Sequence, residues 1–166
     1  YLLWHIPPET EPGVYPATFR LTGREGSTTI PVRIRVHAAR VPEHGSLKVT
    51  NWFSLENMAS RHRLELWSEE HWRMIERYGR MMRDARQNHF IVSPRLTNAT
   101  RAADGTWSFD FSRTERLVRL FFDLGFTCLE GGHVGSRLHW SDPDFVLAAD
   151  RTVKATGPEG YRFLAQ

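Results

Sequence analysis

A change of hydrophobic period near residue 47 constrains the fold of this chain more than any other feature. Before it, apolar residues recur at every second position. After it, short apolar runs alternate with amphipathic stretches of three- and four-residue spacing. The order strand, helix, strand, helix, strand implies right-handed βαβ units on a parallel sheet. The expected fold is α/β, an incomplete (β/α)8 TIM-type barrel (first three βα units) preceded by the tail of an antiparallel β-sandwich. Residues 1–40 would be the C-terminal part of the sandwich domain, and 41–166 the N-terminal part of the barrel domain. A closed barrel needs roughly 200 residues or more. The chain has 166 in all and opens on Tyr1 rather than Met, so both ends are expected to be cuts in a longer protein.

Residues 15–21 alternate as a half-buried strand does. Ile30, Val32, Ile34 and Val36 then alternate with Pro31, Arg33, Arg35 and His37, with a turn between Gly23 and Gly26. One apolar face and one wet face are typical of antiparallel sandwich sheets. Residues 47–53 read as the first barrel strand. Ser68 is the expected N-cap of a long helix, with Glu69 and Glu70 facing the positive end of its dipole. Its core stripe is Trp72, Ile75, Tyr78, Met82 and Ala85, ending near Asn88. Residues 89–94 form the second strand, and 95–110, with Asp104-Gly105 as a turn, a hairpin-like insertion. Ser112 and Glu115 match a capping box for the second helix, which Gly125 closes. Residues 126–129 are the third strand. Thr156-Gly157-Pro158-Glu159 matches a second capping box, opening a helix that runs to Gln166.

Composition excludes several functions. No run of eighteen apolar residues occurs, so no membrane-spanning helix is expected. The pI of about 9.4 invites a nucleic-acid reading, but the net charge is only +3 and just Lys48 and Lys154 of the 22 basic residues are lysines. The arginines at 73, 77, 80, 83 and 86 are interleaved with acids, which makes a solvated helix face rather than a phosphate-binding surface. Cys128 is the single cysteine. It rules out an internal disulfide and a cysteine-based zinc site, and in an apolar strand it reads as a buried free thiol. No metal and no cofactor is expected.

Barrel chemistry gathers at the C-terminal ends of the strands, where three places qualify. Asn51-Trp52-Phe53 offers a polar group beside a large aromatic face, able to stack on a sugar or to fill the barrel mouth. Ser93-Pro94-Arg95 is less informative. Glu130-Gly131-Gly132-His133 sets an acid and an imidazole at a strand mouth, the two glycines allowing close backbone approach. It can bind substrate by hydrogen bonds or be an internally satisfied Glu–His pair. The other histidines show no ligand spacing and read mostly as surface residues. Asp142 and Asp144, bracketing Pro143, read as a turn rather than as paired glycosidase carboxylates.

Val41-Pro42, residues 47–53, Trp67-Ser68-Glu69-Glu70-His71-Trp72, residues 81–88 with Arg86-Gln87-Asn88, and Glu130-Gly131-Gly132-His133 together resemble the start of a glycoside hydrolase family 123 catalytic domain. The resemblance covers about residues 40–135, and the Trp-Ser-Glu-Glu-His-Trp stretch is its most specific part. It implies an N-terminal β-sandwich followed by a barrel, in a usually bacterial and often exported protein. The implied activity is exo-hydrolysis of β-linked N-acetylgalactosamine by substrate assistance. In that mechanism the 2-acetamido oxygen attacks the anomeric carbon, an Asp orients it, and an adjacent Glu is general acid and then base. No Asp-Glu dipeptide occurs in this chain, so none of its residues is expected to be catalytic.

The expected role is a glycosidase fragment, inactive alone, with Asn51, Trp52, Glu130, Gly131, Gly132 and His133 contacting a terminal N-acetylhexosamine. Its partner would be a carbohydrate, not nucleic acid or membrane, and an open sheet edge would favour self-association. The rival reading is a non-catalytic carbohydrate-binding or pseudoenzyme barrel protein.

Overall fold

The computed structural model describes residues 3–42 and 45–166. The chain divides into two compact units, residues 1–43 and 44–166.

The first unit is an antiparallel hairpin of β1 (Gly13–Gly23) and β2 (Gly26–Val36). The register Ala17↔Val32 and Phe19↔Ile30 puts the alternating apolar residues on one face, as their period of two requires. No described residue of this unit is buried.

The second unit is mixed α/β. Its elements are α1 (Leu55–His62), α2 (Glu69–Asp84), β3 (His89–Val92), β4 (Asn98–Arg101), β5 (Trp107–Asp110), α3 (Ser112–Asp123), β6 (Cys128–Gly131), β7 (Gly135–Ser136), β8 (Val146–Leu147) and α4 (Pro158–Leu164). At its centre β3 pairs in parallel with β6, His89 opposite Cys128 and Ile91 opposite Glu130. α3 lies between these strands in sequence and packs on them. Phe90 and Phe121, both fully buried, stack at 4.6 Å, with Phe126 4.8 Å from Phe121. Leu55, Met58, Trp72, Ile75, Leu96 and Leu117 complete this core. A second, smaller core joins the β4–β5 hairpin to the later segment through Trp107, Leu147 and Val153, with Phe163 of α4 against Trp107.

Several expectations are borne out. Ser68 caps α2 by accepting the His71 N–H, and β4–β5 is a hairpin turning at Gly105. Gly125, at φ 92°, closes α3 with the paired bonds Phe126 N–H to Phe121 C=O and Gly125 N–H to Phe122 C=O.

Others need correction. Residues 47–53 form no strand ladder, because the Asn88 side chain occupies the ladder position. Asn88 Oδ1 accepts the Val49 N–H and Nδ2 donates to the Leu47 carbonyl, both at 2.9 Å. α1 was not anticipated. Ser112 does not cap α3; it is the first helical residue, its N–H held by Asp110 Oδ1 at 2.9 Å, while Glu115 pairs with Arg119. Thr156 does not cap α4, whose N-cap is Gly157 with no side-chain bond. Ala85 is exposed and α2 stops at Asp84, where Arg86 at φ 69° takes the left-handed position after the helix. The third strand is shifted to Cys128–Gly131. Cys128 is only half-buried, and Lys48 Nζ lies 2.7 Å from its sulfur and pulls the thiol pKa down. His71 is fully buried rather than a surface histidine.

Candidate functional site

Two stretches far apart in sequence, Trp52 and Glu130 to His133, meet at the C-terminal end of the β3–β6 pair. Trp52 Nε1 donates to Glu130 Oε2 at 3.3 Å, and the His133 ring stands edge-on to the Trp52 ring at 6.1 Å. Glu130 is carried by β6 itself and His133 by the loop that follows. Trp52 arrives from the extended segment fastened by Asn88. The buried Gln87 helps aim that segment, its amide donating to the His89 carbonyl at 3.0 Å and reaching the Asn51 carbonyl at 3.5 Å. The Gln87 and Asn88 side chains, with the Asn88 and His89 N–H groups on the Val49 carbonyl, therefore hold the segment that carries the indole.

The Trp52 face is 64% exposed. The cluster joins a solvent-facing aromatic plane, a carboxylate bonded by that plane's edge, and a nearby imidazole. Such a set suits a ligand with one apolar face and a rim of hydroxyls. Asn51 is exposed beside it. The two glycines differ. A Cβ on Gly131 would meet nothing within 4 Å, whereas one on Gly132 would lie 2.9 Å from Pro94 Cδ and 3.1 Å from Ser93 Cα. Gly132 also donates its N–H to the Val92 carbonyl at 2.8 Å. Its close approach is to the loop after β3, which it locks against the loop after β6. Phe53 stacks flat on Phe121 at 5.7 Å and belongs to the core.

Sequence reasoning missed the cavity beside Trp52. It has a volume of about 240 Å³, and its walls include Trp52, Glu56, Trp67, Ile91, Ser93 and Arg95. Trp67 holds the left-handed conformation, φ 68°, which strains a bulky residue. His71 fixes it there, with Nδ1 accepting the Trp67 N–H and Nε2 donating to the Leu55 carbonyl, both at 3.1 Å. The two bonds require the neutral ring with its proton on Nε2. Burial pushes the His71 pKa down, which favours the same form. The sequence signal was Trp67 beside its capping serine, read only as a helix start. A larger groove of about 540 Å³ runs between α2 and α3, but Arg116–Glu69 and other ion pairs fill its walls with matched charge. Asp142 and Asp144 are not a pair: one accepts the His139 N–H, the other bonds Lys154. Among the described residues no group of three metal-ligating side chains occurs, and no helix is long and apolar enough to cross a membrane.

The mixed α/β fold, with its polar cluster at the ends of parallel strands, is of the kind that carries enzyme sites on βα loops. The glycoside hydrolase 123 catalytic-domain model matches residues 52–156, and the chain belongs to that family. Among solved structures it is similar to a family 123 glycoside hydrolase from Clostridium perfringens, described for glycolipid glycan hydrolysis. The TM-score is 0.62 at 19% identity, over 74% of this chain and 24% of that one. The chain thus spans about a quarter of that structure's length. No curated protein matches it.

Proposed function

We propose that this chain supplies the opening part of a glycosidase active site that holds a terminal, β-linked N-acetylhexosamine of the N-acetylgalactosamine type. The observation that carries this reading is the convergence of Trp52, Glu130 and His133 at the β3–β6 ends in a member of this family. The indole receives the apolar face of the ring, while Glu130, Asn51 and His133 bond its hydroxyls. Gly131 leaves room for the ring, and Gly132 fixes the floor. The β3–β6 pair is the start of a (β/α)8 barrel, and the β1–β2 hairpin is the end of a β-sandwich, with residues 1–40 and 41–166 as the two domain parts. The parent would be a bacterial, exported hexosaminidase. Its acetamide-orienting Asp and its acid–base Glu are not in this sequence, which has no Asp-Glu dipeptide.

The isolated chain binds sugar without cleaving it and self-associates along the open edge of β6, where Leu129 is 46% exposed. Two preparations test the reading. The full-length protein should release N-acetylgalactosamine from an aryl β-N-acetylgalactosaminide, and the pure 166-residue chain should not. Turnover by the short chain would sink the division of labour. A full-length protein that binds the sugar but never cleaves it would leave the carbohydrate-binding alternative in its place.

A further inference from the structure

We propose that His71 is a positioning residue for the sugar site: it ties together, from behind, two walls of the cavity beside Trp52. The part played by sugar rests on the glycosidase reading above. His71 lies in the first turn of α2, fully buried, and stands behind the cavity lining rather than in it. Each of its ring nitrogens reaches a residue that does line the cavity. Nδ1 accepts the N–H of Trp67, and Nε2 donates to the carbonyl of Leu55, both at 3.1 Å. Trp67 forms one wall, and Leu55 belongs to the 52–56 stretch that forms another and carries Trp52. One imidazole thus holds the turn before α2 to the start of α1, and so sets where the two walls stand.

A helix start needs none of this. Ser68 Oγ caps α2 on its own, and Trp67 meets Trp72 at 5.9 Å in the kind of staple that often precedes a cap. The Trp67 backbone is another matter. At φ 68° it holds a conformation that a bulky residue takes only at a cost, and such outliers gather at active sites and ligand clamps. The acceptor that keeps its N–H there is His71 Nδ1, and the indole so placed lines the cavity. Of the two ties, only this one depends on the state of the ring. Protonation turns Nδ1 into a donor, which cannot accept the Trp67 N–H, while Nε2 goes on donating to Leu55. Burial opposes that charged form more strongly than the Leu55 carbonyl and Glu56 of α1 favour it. Glu69 and Glu70 of α2 are engaged by Arg116 and Arg73, and Arg113 of α3 lies over the Trp67 ring at 5.1 Å. The Trp67 wall is therefore released in acid, below the ordinary histidine pKa, with the Leu55 wall still tied.

The test uses the full-length protein, with isotope-labelled tryptophan, and two variants. His71→Leu keeps much of the volume and removes both bonds; His71→Gln keeps an acceptor and a donor but cannot gain a proton. At about pH 7.5, His71→Leu should weaken N-acetylgalactosamine binding about tenfold, the loss expected for one hydrogen bond, and His71→Gln should keep most of the affinity. From about pH 7.5 to about pH 4.5 the wild-type protein should lose affinity beyond any loss seen in His71→Gln. Wild-type affinity in a folded His71→Leu overturns the inference and leaves His71 a folding residue. Where His71→Leu does not fold, the two pH profiles decide, and parallel profiles overturn it. A wild-type protein that binds no sugar removes the glycosidase reading, and the Trp67 amide proton then reports on the tie alone. A resonance that shifts upfield as His71 titrates, and stays put in His71→Gln, keeps the tie; one that ignores pH removes it too.

Discussion

Two stretches of this chain are built from the same residue types, tryptophan, glutamate and histidine, and use them in opposite ways. In Trp67-Ser68-Glu69-Glu70-His71-Trp72 the serine, both glutamates and the histidine each find a partner within the same unit, the glutamates at its surface. Ser68 caps α2, Glu69 takes Arg116, Glu70 takes Arg73, and His71 bridges Trp67 to Leu55. Both indoles are covered by guanidinium groups, Arg113 over Trp67 and Arg116 over Trp72. In the cluster of Trp52, Glu130 and His133, the indole and imidazole lie open to water, and among the described residues the carboxylate's hydrogen-bond partner is the indole edge. The more distinctive motif is therefore chiefly a device for folding, and the plainer one faces solvent. How recognisable a motif is does not say whether it is a site; the satisfaction of its polar groups does.

That contrast can be broken by mutation, and the largest effect should come from the packed stretch. Trp72→Ala removes a core side chain and the surface under Arg116. It should cost about 3–5 kcal/mol of stability in a denaturant titration, and retention of the wild-type midpoint would show that the stretch is not structural. At the open cluster, Glu130→Gln should weaken N-acetylgalactosamine binding ten- to hundredfold, the equivalent of about 1.5–3 kcal/mol for a charged hydrogen bond. Its melting temperature should stay near that of the parent; a large drop would place Glu130 with the folding residues. Gly132→Ala tests the lock between the two loops and should destabilise by about 1–2 kcal/mol, the lower part of what overpacking costs. Gly131→Ala, which meets open space, is the matched control in the same melts.

The smallest effect is one of pH. The folded pKa of His71 lies below the ordinary 6.5, so between those two values the unfolded chain binds more protons than the folded one. Its contribution is fully present above pH 6.5 and is lost as pH falls toward the folded pKa. Stability followed by urea unfolding should therefore decline over that acidic window, and His71→Gln should flatten that part of the profile. An identical slope in the variant would assign the decline to another group.

Much of this arrangement was legible in the sequence where periodicity and chemistry agree. The β1–β2 face, the Ser68 cap and the β4–β5 hairpin all follow from local pattern, and Glu130 stands at the end of a strand as its pattern implies, whereas the segment carrying Trp52 forms no strand. What was not legible depends on partners distant in the chain. Residues 47–53 carry strand-forming residues, but they are held by the Asn88 side chain and by the Asn88 and His89 backbone N–H groups, both on the Val49 carbonyl, an arrangement no period reveals. α1 is one short amphipathic helix fixed by Ser54 at its start, too brief for its spacing to stand out. Ser112 and Glu115 fit a capping box, yet Asp110 sits two residues earlier and takes the first N–H instead. The cavity by Trp52 needs a left-handed Trp67, a conformation only the buried His71 makes tenable.

The bond from Trp52 to Glu130 also gives the site its own spectroscopic signal. The chain has six tryptophans, and among the described residues the Trp52 indole proton is the one that bonds a carboxylate. In a proton–nitrogen correlation spectrum that proton should resonate downfield of its fellows. A sugar hydroxyl that competes for Glu130 would move this one resonance and leave those of Trp72 and Trp107 in place. Occupancy could then be followed in solution, at one residue, without a reporter group on the sugar and without waiting for a bond to break.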